Sequence, residues 1–170
     1  MNTSLFLSAI LQILLALFFG VLLLYGVYQA LFQVITRRYK IEPTSNPAYA
    51  ILSSGILLAV GYLVSNAMIP IQNAIRIAQK SGSNFVEPAK YIIYFLIVSV
   101  IVAFLVVMIA LWFFNKLTRN INELDQISKN NIPVAIIAAT IVLLIALIVR
   151  DGFVMLLESL IPYPSIPNYF

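Results

Sequence analysis

The 170-residue chain contains no cysteine and no histidine. Without cysteine there is no disulfide, no thiolate metal site and no thiol nucleophile. Without histidine, the commonest acid–base group near neutral pH and the commonest metal ligand are both missing. Charge is scarce too: Asp, Glu, Lys and Arg make up 9% of the residues, against about 25% in a soluble domain. Hydrophobic residues reach 62%, where about 45–50% is usual. So few polar side chains cannot cover a surface in water. The composition is that of an integral membrane protein.

What little acid there is does not assemble into a site. The six carboxylates are Glu42, Glu87, Glu123, Asp125, Asp151 and Glu158. Glu123 and Asp125 are two apart on a helical stretch, so their side chains diverge. No Gly-rich phosphate loop, nucleophile elbow or metal-ligand spacing occurs. The expectation is a non-enzymatic protein with no cofactor. The net charge of +4 does not indicate nucleic acid either, because the bases form no dense stripe with interleaved aromatics.

Four apolar runs dominate the chain: 5–35, 48–71, 91–114 and 132–149, the last extendable to 161. A hydrocarbon core about 30 Å thick needs roughly 20 apolar residues in a helix. Each run qualifies, and the alternation of a β-barrel strand is absent. The first run follows no basic n-region and is too long for a cleavable signal, so it is expected to be an anchor. Along it Ser8, Gln12, Ala16 and Gly20 recur every four residues, a stripe suited to helix–helix contact or to lining a wet path. Residues 69–79 alternate Ile and Ala with Gln, Asn and Arg after Pro70, which predicts an interfacial helix beyond a bend. The tail "PYPSIPNYF" at 162–170 has aromatics suited to the headgroup level.

The bases suggest an orientation. Arg37, Arg38 and Lys40 fall in the connection 36–46, and Lys116, Arg119 and Lys129 in 115–131; Arg76, Lys80, Lys90 and Arg150 fall on the other side. Cytoplasmic loops carry the excess of bases. This predicts that 36–46 and 115–131 face the cytoplasm and that both termini lie outside.

One phrase occurs twice. "NPAYAIL" at 46–52 and "NIPVAII" at 131–137 align with a shift of 85, half the chain. Asn46 and Asn131 are good N-caps, and Pro47 and Pro133 sit in the first turn, where a missing N–H costs little. At a bilayer surface the free donors of a helix start must be satisfied before the chain enters lipid. The same shift carries Ala50, Ser54 and Gly61 onto Ala135, Ala139 and Ala146. These small residues share a helical face and predict that the second and fourth helices pack closely through this stripe, with Gly61 its smallest residue. The fold expected is therefore all-α, with four transmembrane helices built as two parallel two-helix repeats, 1–85 and 86–170. Tandem two-helix units insert with the same orientation, so their axis lies along the membrane normal.

The Asn-capped entry Asn46, Ala48, Ala50, Ile51 into a small-residue helix, in two-helix units occurring twice, resembles the bacterial family called Domain of Unknown Function 350. The second copy keeps Asn131, Ala135 and Ile136 but has Pro133 in place of the middle Ala. The resemblance implies a multi-pass bacterial inner-membrane protein, and it implies no chemistry.

One local feature remains, "VRDGF" at 149–153. Arg150 and Asp151 form a candidate charge site: an interfacial anchor pair, or a charge gate in an oligomer. Their aligned positions, Ser65 and Asn66, are polar and neutral, so unlike residues would meet across the repeat axis. Two functions stay open. One is a structural or scaffold subunit in the bilayer, associating with itself or with other membrane proteins. The other is a small oligomeric channel or transporter for ions or small solutes.

Overall fold

The computed structural model describes residues 10, 13–14, 17–18, 20–22, 24–30, 33, 45–80, 86–117 and 123–161. Every regular element among them is helical. In chain order these are α1 (Gly20–Ala30), α2 (Pro47–Asn66), α3 (Met68–Lys80), α4 (Val86–Leu117), α5 (Glu123–Ser128) and α6 (Ile132–Glu158). Three stretches are long and apolar enough to cross a membrane: Pro47–Ala74, Ile93–Lys116 and Ile132–Glu158. The expected first span, 5–35, falls largely outside the described residues. Its described side chains include exposed Ile13, Leu17, Phe18 and Val21.

The surface has the character expected in lipid. On α4 Ile97, Ile101, Phe104, Leu105, Met108 and Trp112 are exposed, and on α6 so are Ile137, Leu144 and Ile148. A soluble monomer rarely leaves so much contiguous apolar surface uncovered. Each helix also keeps a narrower inward stripe. On α4 it is Phe95, Ser99, Ala103, Val107, Ala110 and Phe114, spaced by three or four residues as one face requires. Ser99, fully buried, donates its hydroxyl to the Phe95 carbonyl at 2.5 Å, so its own polar atom is satisfied.

α2 is the central helix: 56% of its span is buried, against 33% for α4 and 28% for α6. It packs against α6 and α4, and Leu24 of α1 lies near its Gly61. α2 and α6 run parallel and in register. Asn46 reaches Ile127 just before α6, Asn66 reaches Arg150, and Asn73 of α3 reaches Glu158. Midway, Gly55 meets Ala139: a Cβ at position 55 would lie 2.5 Å from the Ala139 Cβ and 2.9 Å from its Cα. Only hydrogen fits there.

The glycine at the contact is therefore Gly55, not Gly61. At Gly61 an added Cβ would meet only the Leu24 Cδ2, at 3.7 Å. The reason is the choice of face: Gly55 lies one residue, about 100°, around the helix from Ser54. The contact face of α2 carries Ala48, Leu52, Gly55, Ile56, Ala59 and Leu63. The four-residue spacing from Ala50 is equally small but points elsewhere.

The bend after α2 also sits earlier than Pro70. Helix α2 ends at Asn66 with Ala67 as C-cap, its N–H turning to the Val64 carbonyl at 3.0 Å. Pro70 has no N–H to give the Asn66 carbonyl, so the ladder is interrupted one turn ahead of the proline. Beyond it α3 is helical where an interfacial helix was expected. Its apolar Ile71 and Ala74 are buried, and the helix packs on α4 and α6, so this face meets protein rather than headgroups. The tail 162–170 lies outside the described residues.

Gly55→Ala should lower the melting temperature in detergent, since overpacking of this kind costs about 1–3 kcal/mol and outweighs a helix-propensity gain of about 1 kcal/mol. Adding Ala139→Gly should recover only part of the loss, because the Cα of residue 139 still lies 2.9 Å from the new Cβ, whereas Gly61→Ala alone should be neutral or stabilising. Equal melting of the Gly55→Ala and Gly61→Ala proteins would refute the contact.

Candidate functional site

The side-chain hydrogen bonds that join the two halves collect at the two ends of the parallel pair. At the near end the starts of α2 and α6 share one cap cluster. Asn46, buried and in an extended backbone conformation, accepts from the Tyr49 N–H at 2.9 Å. Its own amide donates to the carbonyls of Ile127 at 2.9 Å and Ser128 at 3.3 Å. Asn130 accepts from the Ala48 N–H at 3.1 Å. Pro47 has no N–H, and the Ala50 N–H bonds the Asn46 carbonyl at 3.2 Å. All the first-turn donors of α2 are thus satisfied, one of them by the other half of the chain.

Asn130 reaches across because of its backbone. Its φ is +62°, the left-handed region that Asn tolerates better than most residues. The Asn131 N–H returns to the Gln126 carbonyl and the Asn130 N–H to that of Ile127, both at 3.0 Å. This pattern closes α5 as a Schellman motif. Asn131 then caps α6, accepting from Val134 at 3.4 Å and donating to the Gln126 Oε1 at 3.1 Å. Both predicted caps therefore act as caps, and Asn130, which the sequence pattern did not single out, ties them together. Its signal was present in the "KNNIP" doublet: two adjacent Asn residues can end one helix and begin the next.

The predicted packing residues divide. Ala135 and Ala146 are fully buried and Ala139 is half-buried against Gly55. Ala50 and Ser54 are exposed, with the Ser54 hydroxyl donating to the Ala50 carbonyl at 2.7 Å. Gly61 is half-buried. The α6 half of the small stripe faces protein. The lower α2 half faces out.

At the far end Arg150 donates its Nε to the Asn66 Oδ1 at 2.8 Å. The expected partner Asp151 stands farther, its Oδ1 at 4.0 Å, with its side chain 92% exposed. Asn66 in turn donates to the Tyr62 carbonyl at 2.7 Å, in the last turn of α2. A cation beside a helix C-terminus is favoured by the helix dipole. About two turns farther, the Asn73 amide donates to the Glu158 Oε1 at 3.4 Å. Of the first-span stripe, Ser8, Gln12 and Ala16 fall outside the described residues; Gly20 is half-buried, with nothing within 4 Å of a Cβ built there.

The family described as Domain of Unknown Function (DUF350) matches residues 4–153. The chain belongs to this family. No curated protein and no solved structure matches it.

The DUF350 chain allows the two functions of Asn130, backbone and side chain, to be separated. Asn130→Gly keeps the left-handed turn and removes only the acceptor for Ala48, so it should cost about 1 kcal/mol, the usual net worth of a hydrogen bond. Asn130→Ala should cost more, because left-handed backbone adds roughly 1 kcal/mol of strain for a residue with a Cβ. Equal thermal stability of Asn130→Gly and the parent would remove Asn130 from the cap cluster.

Proposed function

We propose that this DUF350 protein is a non-enzymatic structural subunit of a membrane assembly, with α2 and α6 as its rigid centre. The observation that carries this reading is the dry, close contact between those helices. Small and aliphatic side chains (Leu52, Gly55, Ile56 and Ala59 against Ala135, Ala138 and Val142) fill the middle of the pair. The polar side chains that tie the two halves together lie near its ends, around Asn131 and Arg150, which are 19 residues and roughly 28 Å apart along α6. The hydroxyls of Ser53, Ser54 and Thr140 between them bond carbonyls of their own helices. A pore through this centre needs a continuous wet lining, and the centre is packed instead.

The reading includes four spans, α1 extending through the first apolar run, and two parallel repeats, 1–85 and 86–170. Its support is register. The ties between the halves join residues 81 to 85 apart, matching the shift of 85 that aligns the two Asn phrases. Like positions lying side by side at equal height is the arrangement that an axis along the membrane normal produces. The proposal also puts the protein in the bacterial inner membrane with both termini periplasmic. In support, the connections before α2 and before α6 meet at one end through Asn46 and Ile127, and these two connections hold six of the ten bases. Exposed Ala50 and Ser54 offer a small face to a second copy or to another membrane protein.

A channel or transporter is the second reading. It is favoured by Arg150, which is half-exposed beside apolar surface and could contribute to a ring in an oligomer. Purified protein in liposomes should give no ion or solute flux above empty vesicles; reproducible flux abolished by Arg150→Gln would replace the structural reading. Since the chain has no cysteine, single cysteines at Thr44 and Lys129 test the orientation cleanly. Neither should react with an impermeant maleimide added outside intact cells, and ready labelling of both would invert the topology.

A further inference from the structure

Arg150 occupies an unusual place. Along α6 it is flanked by exposed Leu147 and Ile148 on one side and by exposed Met155 and Leu156 on the other. It lies 18 residues from Ile132, roughly 27 Å, which puts the guanidinium near the far edge of a hydrocarbon core about 30 Å thick. Its side chain is 46% exposed. Its one short hydrogen bond is to a neutral amide, the Asn66 Oδ1 at 2.8 Å. The carboxylate within reach, Asp151, stands 4.0 Å from Nε and points its exposed side chain largely to solvent. A cation in an apolar rim is costly until an anion meets it. Among the described residues no carboxylate comes closer.

The bond to Asn66 also restricts the guanidinium. It engages Nε and leaves the two terminal nitrogens, the part of the planar fork that pairs with phosphate oxygens. At this depth the anion that a bilayer itself supplies is a lipid phosphate. We propose that Arg150, oriented by Asn66, binds the phosphate of an anionic phospholipid in the leaflet that surrounds the C-terminal ends of α2 and α6. The inference needs α6 to span the bilayer, and it holds for a structural subunit and for a channel alike. A plain snorkelling anchor would be indifferent to headgroup charge. The site would not be.

The test uses the full chain in a neutral detergent, titrated with phosphatidylglycerol, phosphatidylcholine or inorganic phosphate, with bound lipid read by native mass spectrometry and melting temperature alongside. The parent should retain phosphatidylglycerol in preference to phosphatidylcholine and melt higher with it. Arg150→Gln should weaken phosphatidylglycerol binding about fivefold, the factor expected where one base near an anionic headgroup layer contributes about 1 kcal/mol. Lys129→Gln, at the opposite end and paired with Asp125, should bind as the parent does. Equal retention of the two lipids by the parent, or parent-like binding by Arg150→Gln, overturns the proposal. Stabilisation by inorganic phosphate equal to that by phosphatidylglycerol also overturns it, in favour of a free-anion site. Should Arg150→Gln fail to fold, Asn66→Ala asks the same question, because it keeps the charge but frees the fork. Its phosphatidylglycerol affinity should fall, and unchanged affinity counts against the site.

Discussion

Helices in lipid gain nothing from hiding apolar side chains from one another, because the acyl chains are equally apolar. Their association rests on how closely backbones approach. Gly55 and Ala139 set that distance for α2 and α6, and a single methyl at Gly55 would already collide with the backbone opposite. The contact is also parallel, which brings like ends of two helix dipoles together. The arrangement therefore depends on what happens at the ends. At the starts, Asn46 and Asn130 satisfy the free N–H groups of α2 with partners from both halves. At the finishes, Arg150 brings a positive charge to the last turn of α2 through Asn66.

This division of labour bears on what the molecule does. A protein that conducts or transports keeps polar groups where its cargo passes, and bears the cost of holding them there. Here the middle of the central pair is mostly apolar and small, and its hydroxyls (Ser53, Ser54 and Thr140) bond their own helix backbones. Hydrogen bonding between the halves is confined to two layers near the ends. Such a body is stiff: its ends are tied by side-chain bonds and its centre is close-packed. The flanking α4 is an ordinary lipid-facing helix on its outer side, ending with Lys116 over the Trp112 ring at 4.9 Å, an aromatic and basic pair suited to an interface. Ala50 and Ser54 stand exposed on the outward side of α2.

The break between α2 and α3 shows how a local rule becomes a tertiary feature. Pro70 obliges the ladder to fail at Asn66, and the freed Asn66 side chain both caps its own helix and receives Arg150. In α6 the matching stretch "RDGF" has no proline and continues unbroken through Glu158. The two halves differ most where one of them bends, and the polar ties of the far end form at that difference.

The sequence alone determined the solvent, the helical class, three of the spans and the two Asn caps. These follow from composition, from run length against bilayer thickness, and from donors that must be satisfied within one turn of chain. All are local or additive properties. Which face of α2 meets α6 was not decided in this way. The adjacent residues Ser53, Ser54 and Gly55 are all small, so periodicity admits stripes about 100° apart, and the choice of Ala50 and Ser54 picked the wrong one. Only the packed structure selects Gly55, because closeness depends on the residue across the interface. The same holds for Asn130 and Asn66, whose partners lie more than 80 residues away. Asn130 belongs to a turn read in isolation, and Asn66 to a helix end, until folding brings Ala48 to the one and Arg150 to the other.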